Sequence, residues 1–125
     1  MAVNKEQAIQ TLWSSFGIPA YDESTVPDDA VMPYITYNVA TDSLENVVNL
    51  HASLWYFSTS WKAISEKCTE IASFIGEHGF ARYKLDDGYV WFTKGTPFAQ
   101  RMSDPEDDMI RRIYLNVQAE FLTAY

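Results

Sequence analysis

The residues of this 125-residue chain that could take part in chemistry are few and scattered. Asp104, Glu106, Asp107 and Asp108 form an acidic run whose oxygen atoms could bind a hard cation. The run lacks the central glycine and the terminal bidentate acid of a calcium loop. We therefore interpret it as a solvated acidic loop, and we predict no metal site.

The single cysteine and the two histidines do not form a recognisable catalytic arrangement. Cys68 is in register with Ile64 and Ile71 on the apolar stripe of a predicted helix, where a thiol stays protonated and unreactive. His51 lies at a polar strand position and His78 in a loop, and neither is surrounded by a sequence-local arrangement of acid and nucleophile. We predict two surface histidines, no catalytic residue, no cofactor and no enzymatic activity. An enzyme whose pocket is built from residues scattered along the chain would show no catalytic sequence motif, so it stays an alternative.

Composition indicates one folded domain covering residues 1–125, because 47% of the residues are hydrophobic and 15% are aromatic. The net charge of -8 disfavours general binding to nucleic acid or to anionic lipid. No apolar run approaches the length of about 18 residues that a membrane span requires. The N-terminus also lacks the apolar core of a signal peptide and Cys68 is the only cysteine, so we expect a reducing cytoplasm as the default compartment.

Two amphipathic helices are predicted from apolar residues that recur at three- and four-residue spacing. The first covers residues 5–16, and Gly17 follows as a helix stop. The second covers residues 61–75, with Thr59 or Ser60 as its N-terminal cap.

Five strands are predicted from alternating or β-prone runs, at residues 34–40, 47–58, 80–85, 89–94 and 112–121. Asp86-Asp87-Gly88 between the third and fourth runs is a strong hairpin signal. The last run alternates without an error, so we expect that strand to be central or long. In the second run Trp55 and Phe57 interrupt the polar face, so that part of the strand meets either a helix or another chain.

Residues 18–31 and 95–108 contain prolines and acidic residues without a period, which predicts two long irregular segments. The elements together predict an α+β fold: a mainly antiparallel sheet of about five strands with two helices packed on one face. The other face is then free to be hydrated or to make contacts. The order of the strands across the sheet stays open.

Basic residues concentrate in the second half of the chain. Six of the nine lie close to the predicted hairpin, the following segment and the last strand: Arg82, Lys84, Lys94, Arg101, Arg111 and Arg112. The cluster is either a positive patch that binds the acidic loops of a neighbouring copy or the ordinary polar face of a sheet.

Three short segments carry a resemblance to a known family. Residues 58–63 read Ser-Thr-Ser-Trp-Lys-Ala, and the other two segments are residues 87–101 and 111–121. Together they resemble the tail terminator, or minor tail completion, proteins of long-tailed (siphovirus-type) bacteriophages. The likeness covers the chain from about Met32 to its C-terminus, with the elements in the same order.

The resemblance implies a structural protein of the virion that is assembled in the host cytoplasm and placed at the junction of head and tail. Copies of the chain would form a ring, most often a hexamer, that caps the tail tube, ends tube growth and offers a docking face to the head connector. Genomic DNA would pass through the ring without specific binding, as suits an acidic protein. The alternatives are a head completion or neck protein of the same virion, and a monomeric small-molecule-binding domain or enzyme.

We predict that Trp55, Pro97, Phe98, Arg101 and Arg111 make contacts between subunits. The segment 95–108 is too long, and at Phe98 too apolar, for a simple turn. The alternative is that this segment packs on its own domain, with Phe98 under the sheet and Arg101 capping a carbonyl group.

Overall fold

The computed structural model describes residues 5–38, 47–76, 81–85, 88–103 and 107–123. They form an α+β fold with two α-helices and one six-stranded, mostly antiparallel sheet. In chain order the elements are α1 (Lys5–Trp13), β1 (Ala20–Asp22), β2 (Tyr34–Tyr37), β3 (Val47–Phe57), α2 (Lys62–Gly76), β4 (Ala81–Leu85), β5 (Gly88–Ser103) and β6 (Ile110–Thr123).

Both predicted helices are confirmed, with local details that follow from their end residues. After α1 the chain tightens into a 3-10 turn at Ser14–Phe16, and Gly17 ends it with a φ of 77°, which glycine adopts without strain. The Ser60 hydroxyl accepts a hydrogen bond of 3.0 Å from the Lys62 backbone N–H, so Ser60 provides the predicted cap of α2.

The strand order across the sheet is β1-β2-β3-β6-β5-β4. β6 therefore lies between β3 and β5 and is central, as its uninterrupted alternation predicts. The pairs β2–β3 and β4–β5 are antiparallel, which confirms the two predicted strand pairs. The first half of the chain supplies one half of the sheet, β1 to β3, and the second half of the chain supplies the other, β4 to β6.

The hydrophobic core lies against one face of the sheet. Leu50, Ala52 and Leu54 on β3 are paired with Val117, Leu115 and Ile113 on β6, and all six side chains are buried. Both helices contribute buried residues to this same core: Ala8, Ile9, Leu12 and Trp13 from α1, and Ile64, Ile71 and Ile75 from α2. We call this side of the sheet the core face.

The prediction of a wholly irregular segment at residues 18–31 is wrong at its start. β1 lies there and pairs with β2 in parallel, which adds a sixth strand to the predicted five. The pairing is held by backbone hydrogen bonds from the Ile35 N–H to the Pro19 carbonyl and from the Glu23 N–H to the Tyr37 carbonyl, of 2.8 and 2.9 Å. A strand of three residues is too short to show a period in the sequence.

The prediction of a second irregular segment at residues 95–108 is also wrong over residues 95–103, because β5 continues to Ser103. Its pairing with β6 shifts register between Lys94 and Ala99. At the start of this shift Gly95 lies so close to β6 that an added Cβ would be 2.9 Å from Asn116 Cβ. The extra residues reverse the alternation, so Phe92 and Arg101 lie on the same face of the sheet.

Several predicted features lie outside the described residues: the turn at 41–46, His78, Asp86-Asp87, Asp104 and Glu106. In the remainder of the acidic run, the Asp107 carboxylate accepts a hydrogen bond of 2.8 Å from the Met109 backbone N–H. No cluster of metal-binding side chains occurs among the residues described above. Neither of the two described helices has the length and apolar character of a transmembrane segment.

Candidate interaction surface

The second face of the sheet presents large side chains that alternate with the buried ones. Cross-strand pairing places Trp55 opposite Arg112, Ser53 opposite Tyr114, and His51 opposite Asn116. The side chains of this surface, which we call the open face, include Thr36, His51, Ser53, Trp55, Phe57, Met102, Arg112, Tyr114 and Asn116.

Arg112 and Trp55 form the centre of the open face. The Arg112 guanidinium lies 4.6 Å from the centroid of the Trp55 ring and 5.9 Å from that of Tyr114. Its Nε donates to the hydroxyl of the buried Ser53 at 3.0 Å, and Trp55 Nε1 donates to the Thr36 hydroxyl at 2.8 Å. These contacts hold a cation and a flat aromatic ring in fixed positions.

A second hydrogen-bonded chain continues across the open face towards β5. The Asn116 side-chain amide donates to the Pro97 carbonyl at 2.8 Å, so its Oδ1 faces His51 Nδ1, also at 2.8 Å. Because Oδ1 can only accept, His51 Nδ1 carries the proton in this contact. The His51 ring meets the Tyr114 ring edge-on, with centroids 5.4 Å apart. His51 is therefore part of an ordered network rather than the isolated surface histidine that its sequence position predicts.

Exposed apolar side chains flank this ordered centre. Phe57 is 61% exposed and Met102 37% exposed, and both lie on the open face near Arg112. Tyr89 and Leu122 form a cross-strand pair further along the same face and are 45% and 43% exposed. Large apolar side chains that share one face and reach solvent are typical of a protein interaction surface.

A separate cation–aromatic cluster lies at the start of α2. The guanidinium groups of Arg101 and Arg111 lie 4.7 and 5.4 Å from the centroid of the Trp61 ring. Arg111 also donates to the Thr59 carbonyl at 2.9 Å and to the Asp108 carbonyl. Arg101 donates to the Ser65 hydroxyl at 3.4 Å. This cluster ties the segment before α2 to β5 and β6 within one chain.

The five residues predicted as subunit contacts are therefore not brought together in one patch. Trp55 lies on the open face, whereas Arg101 and Arg111 lie around Trp61 on the core-face side of the sheet. Phe98 is half-buried and packs against the core. Pro97 is exposed and offers its carbonyl to Asn116.

Sequence reasoning did not include three open-face residues of β6 among the predicted contacts, namely Arg112, Tyr114 and Asn116. A signal was present, because Trp55 and Phe57 interrupt a polar strand face. The partner strand of Trp55 was not fixed by the sequence, so its contact with Arg112 could not be found.

Two depressions that are lined by described residues lie near these clusters, and both are small. A groove of about 260 Å³ between α2 and β5 is lined by residues including Cys68, Thr69 and Arg101. Cys68 is half-buried beside it, and this burial raises the pKa of its thiol, which keeps it protonated and unreactive near neutral pH. A recess of about 50 Å³ on the open face is lined by residues including Glu23, His51 and Arg112. Pockets for small ligands are generally larger, about 300–1,000 Å³.

No protein-family model, curated protein or solved structure matches this chain.

Proposed function

We propose that this protein is a structural assembly subunit of a long-tailed bacteriophage, a tail terminator that acts by contact rather than by catalysis. Copies of the chain form a ring, a hexamer, on the end of the tail tube. The ring stops tube polymerisation and provides the docking face for the head connector. In this arrangement both helices cover the core face, and the open face is left for contacts.

The observation that carries the proposal is the open face. Its polar groups are paired within the chain, as in the contacts of Trp55 with Thr36 and of Arg112 with Ser53. Phe57 and Met102 remain exposed beside them. A surface with ordered polar atoms and exposed apolar atoms loses little entropy on binding and buries apolar area, which favours association.

The resemblance of residues 58–63, 87–101 and 111–121 to tail terminator proteins supplies the identity of the assembly. Tube growth stops in this scheme because the upper side of the ring does not repeat the docking surface of the tube. A closed ring also leaves no free lateral end, so assembly finishes at a fixed size. Genomic DNA passes through the ring, and the net charge of -8 disfavours retention of its phosphates.

The test is tube polymerisation with the major tail-tube protein of the same phage, in the presence and absence of this protein. We expect tubes of limited length with a ring at one end, seen by electron microscopy. The double variant Phe57→Asp, Met102→Asp should lose capping, because it places carboxylates on the open face. Gln10→Asp is the matched control, since Gln10 is exposed on α1.

Tubes whose length and ends are unchanged by the protein would overturn the proposal. Binding to the portal side of the connector, with no effect on tubes, would assign the neck role in its place. A monomer of 14.3 kDa that binds a small molecule at high protein concentration would instead support the pocket protein.

A further inference from the structure

Acidic and basic residues are concentrated at opposite edges of the sheet. Residues 20–33, which contain β1 and the segment that follows it, carry four carboxylates and no lysine or arginine. β4 and β5 carry four basic residues and no carboxylate. Since β1 and β4 are the outermost strands, one edge of the sheet is acidic and the other is basic.

The acidic edge is exposed and its charges are available. Glu23, Asp28 and Asp29 are all exposed in the segment after β1. The Asp22 carboxylate accepts hydrogen bonds from the Ser24 backbone N–H and hydroxyl, at 3.0 and 2.7 Å, and these bonds lower its pKa. Val31, at the end of this segment, is 78% exposed and adds an apolar contact point.

At the basic edge, part of β5 is paired with another strand on one side only. β4 pairs with β5 only over residues 88–92, and beyond that point β6 is the sole strand paired with β5 among those described. Lys94, Gln100 and Arg101 are exposed along this length. No carboxylate of the described residues is found within 4.0 Å of the Lys94 or Arg101 side-chain nitrogens.

We propose that a second copy of the chain is the partner of this edge, with the acidic edge of one subunit docked on the basic edge of the next. The inference rests on the proposed ring and names the contact that builds it. Two different patches at opposite ends of one sheet make a head-to-tail contact, and repetition of such a contact by rotation closes a ring. Like edges repel each other, so the charge division also excludes the head-to-head dimer.

The test uses two charge-reversed variants. In the first, Lys84→Glu, Lys94→Glu and Arg101→Glu together make both edges acidic; in the second, Glu23→Lys, Asp28→Lys and Asp29→Lys together make both edges basic. Each variant alone should associate about tenfold or more weakly than the wild-type chain, because its two edges repel. An equimolar mixture should recover association as alternating oligomers, measured by native mass spectrometry and sedimentation at low salt.

Raising the ionic strength should weaken the wild-type contact and the mixed contact alike, because exposed charges are screened beyond about 8 Å at physiological salt. The control is Lys62→Glu with Glu66→Lys, which reverses two exposed charges on α2 without altering either edge. Arg101 contacts Trp61, so Lys84→Glu with Lys94→Glu and Gln100→Glu serves as a second acidic-edge variant if circular dichroism shows that the first is misfolded.

Rings that survive both edge reversals would overturn this inference and leave the capping function standing. A mixture that stays as unassociated as its two components would overturn it as well. Wild-type protein that associates, and that loses association in each variant, but does not cap tubes would overturn the capping function and retain the edge contact.

Discussion

Arg111 and Arg112 are neighbours in the sequence and do different work on the two sides of β6. Arg111 donates to the carbonyls of Thr59 and Asp108 and lies near Trp61, so it holds its own chain together. Arg112 lies on the open face over Trp55. Because successive strand residues point to opposite faces, one of these adjacent arginines stabilises the fold and the other belongs to the open face.

The same division separates the two faces as a whole. The core face is filled with buried side chains from the sheet and from both helices. Most side chains of the open face stay at least partly exposed, and several of them pair their polar atoms with each other. Stability should therefore depend mainly on the core face, and association mainly on the open face and the two edges.

The largest effect is expected for Leu115→Ala. Leu115 is fully buried in the centre of β6, so truncation removes apolar contacts and leaves a cavity. We expect a loss of about 2–5 kcal/mol in the free energy of unfolding, measured by urea denaturation.

Leu122→Ala on the open face of the same strand is the matched control, because Leu122 is 43% exposed. Its expected loss is below about 1 kcal/mol. Equal losses at the two positions would mean that the two faces are not distinct.

The next largest effect is expected at the register shift in β5. In Gly95→Ala the new Cβ would lie 2.9 Å from Asn116 Cβ and 3.0 Å from the Asn116 carbonyl oxygen, and the backbone of the central strand cannot easily yield. We expect a loss of about 2–3 kcal/mol in the free energy of unfolding by urea denaturation.

Gly76→Ala is the comparison for this change. There the nearest atom is Lys94 Nζ at 3.0 Å, the far end of a flexible side chain that can move away. A Gly95→Ala protein as stable as Gly76→Ala would show that the shift in β5 does not depend on the close approach of the two backbones.

A smaller effect on stability is expected for Arg111→Ala, about 1.5 kcal/mol, because it removes two hydrogen bonds to carbonyls and the contact with Trp61. The loss is limited because Arg111 Nε is buried and has no hydrogen-bond partner among the described residues of the wild-type protein. Urea denaturation measures this change.

Arg112→Ala should lower the free energy of unfolding less, by about 1 kcal/mol, and should reduce tube capping more than Arg111→Ala does. If Arg111→Ala abolished capping at full stability, the division between the two arginines would be contradicted.

The sequence predicts the elements that have a sustained period, and it fails where the period breaks. Five uninterrupted pairs in residues 112–121 identify β6 and its central place. The sequence does not predict β5 beyond Lys94, because the register shift reverses the alternation of its side chains. Before the shift the even-numbered residues Val90 and Phe92 lie on the core face, and after it the odd-numbered Ala99 and Arg101 do.

The candidate surface could be predicted only in part, for a related reason. Trp55 and Phe57 signal an unusual strand face from the sequence alone. Their neighbours on that face depend on which strand pairs with β3, and the partner, β6, lies more than 50 residues away along the chain. The division of charge between the sheet edges likewise becomes visible only once the strand order is known.

The smallest effect is expected at Asp22, on the acidic edge. Hydrogen bonds from Ser24 lower the pKa of this carboxyl below its ordinary value, so the charged form is favoured in the folded chain. The resulting stability is present above the unfolded pKa, about 3.9, and is lost as pH falls through the lower folded pKa. Asp22→Asn should remove this part of the acid dependence.

The change should be no more than about 0.3 kcal/mol, because the carboxylate is well solvated and screened. Urea denaturation between pH 2 and pH 6 measures it, with Asp29→Asn as the control, since no hydrogen bond to the Asp29 carboxylate is found in the described chain. Association at neutral pH should weaken in both variants, since each removes one charge from the acidic edge. An Asp22→Asn protein that loses this pH dependence but associates as well as the wild-type chain would show that the Asp22 charge does not contribute to the edge contact.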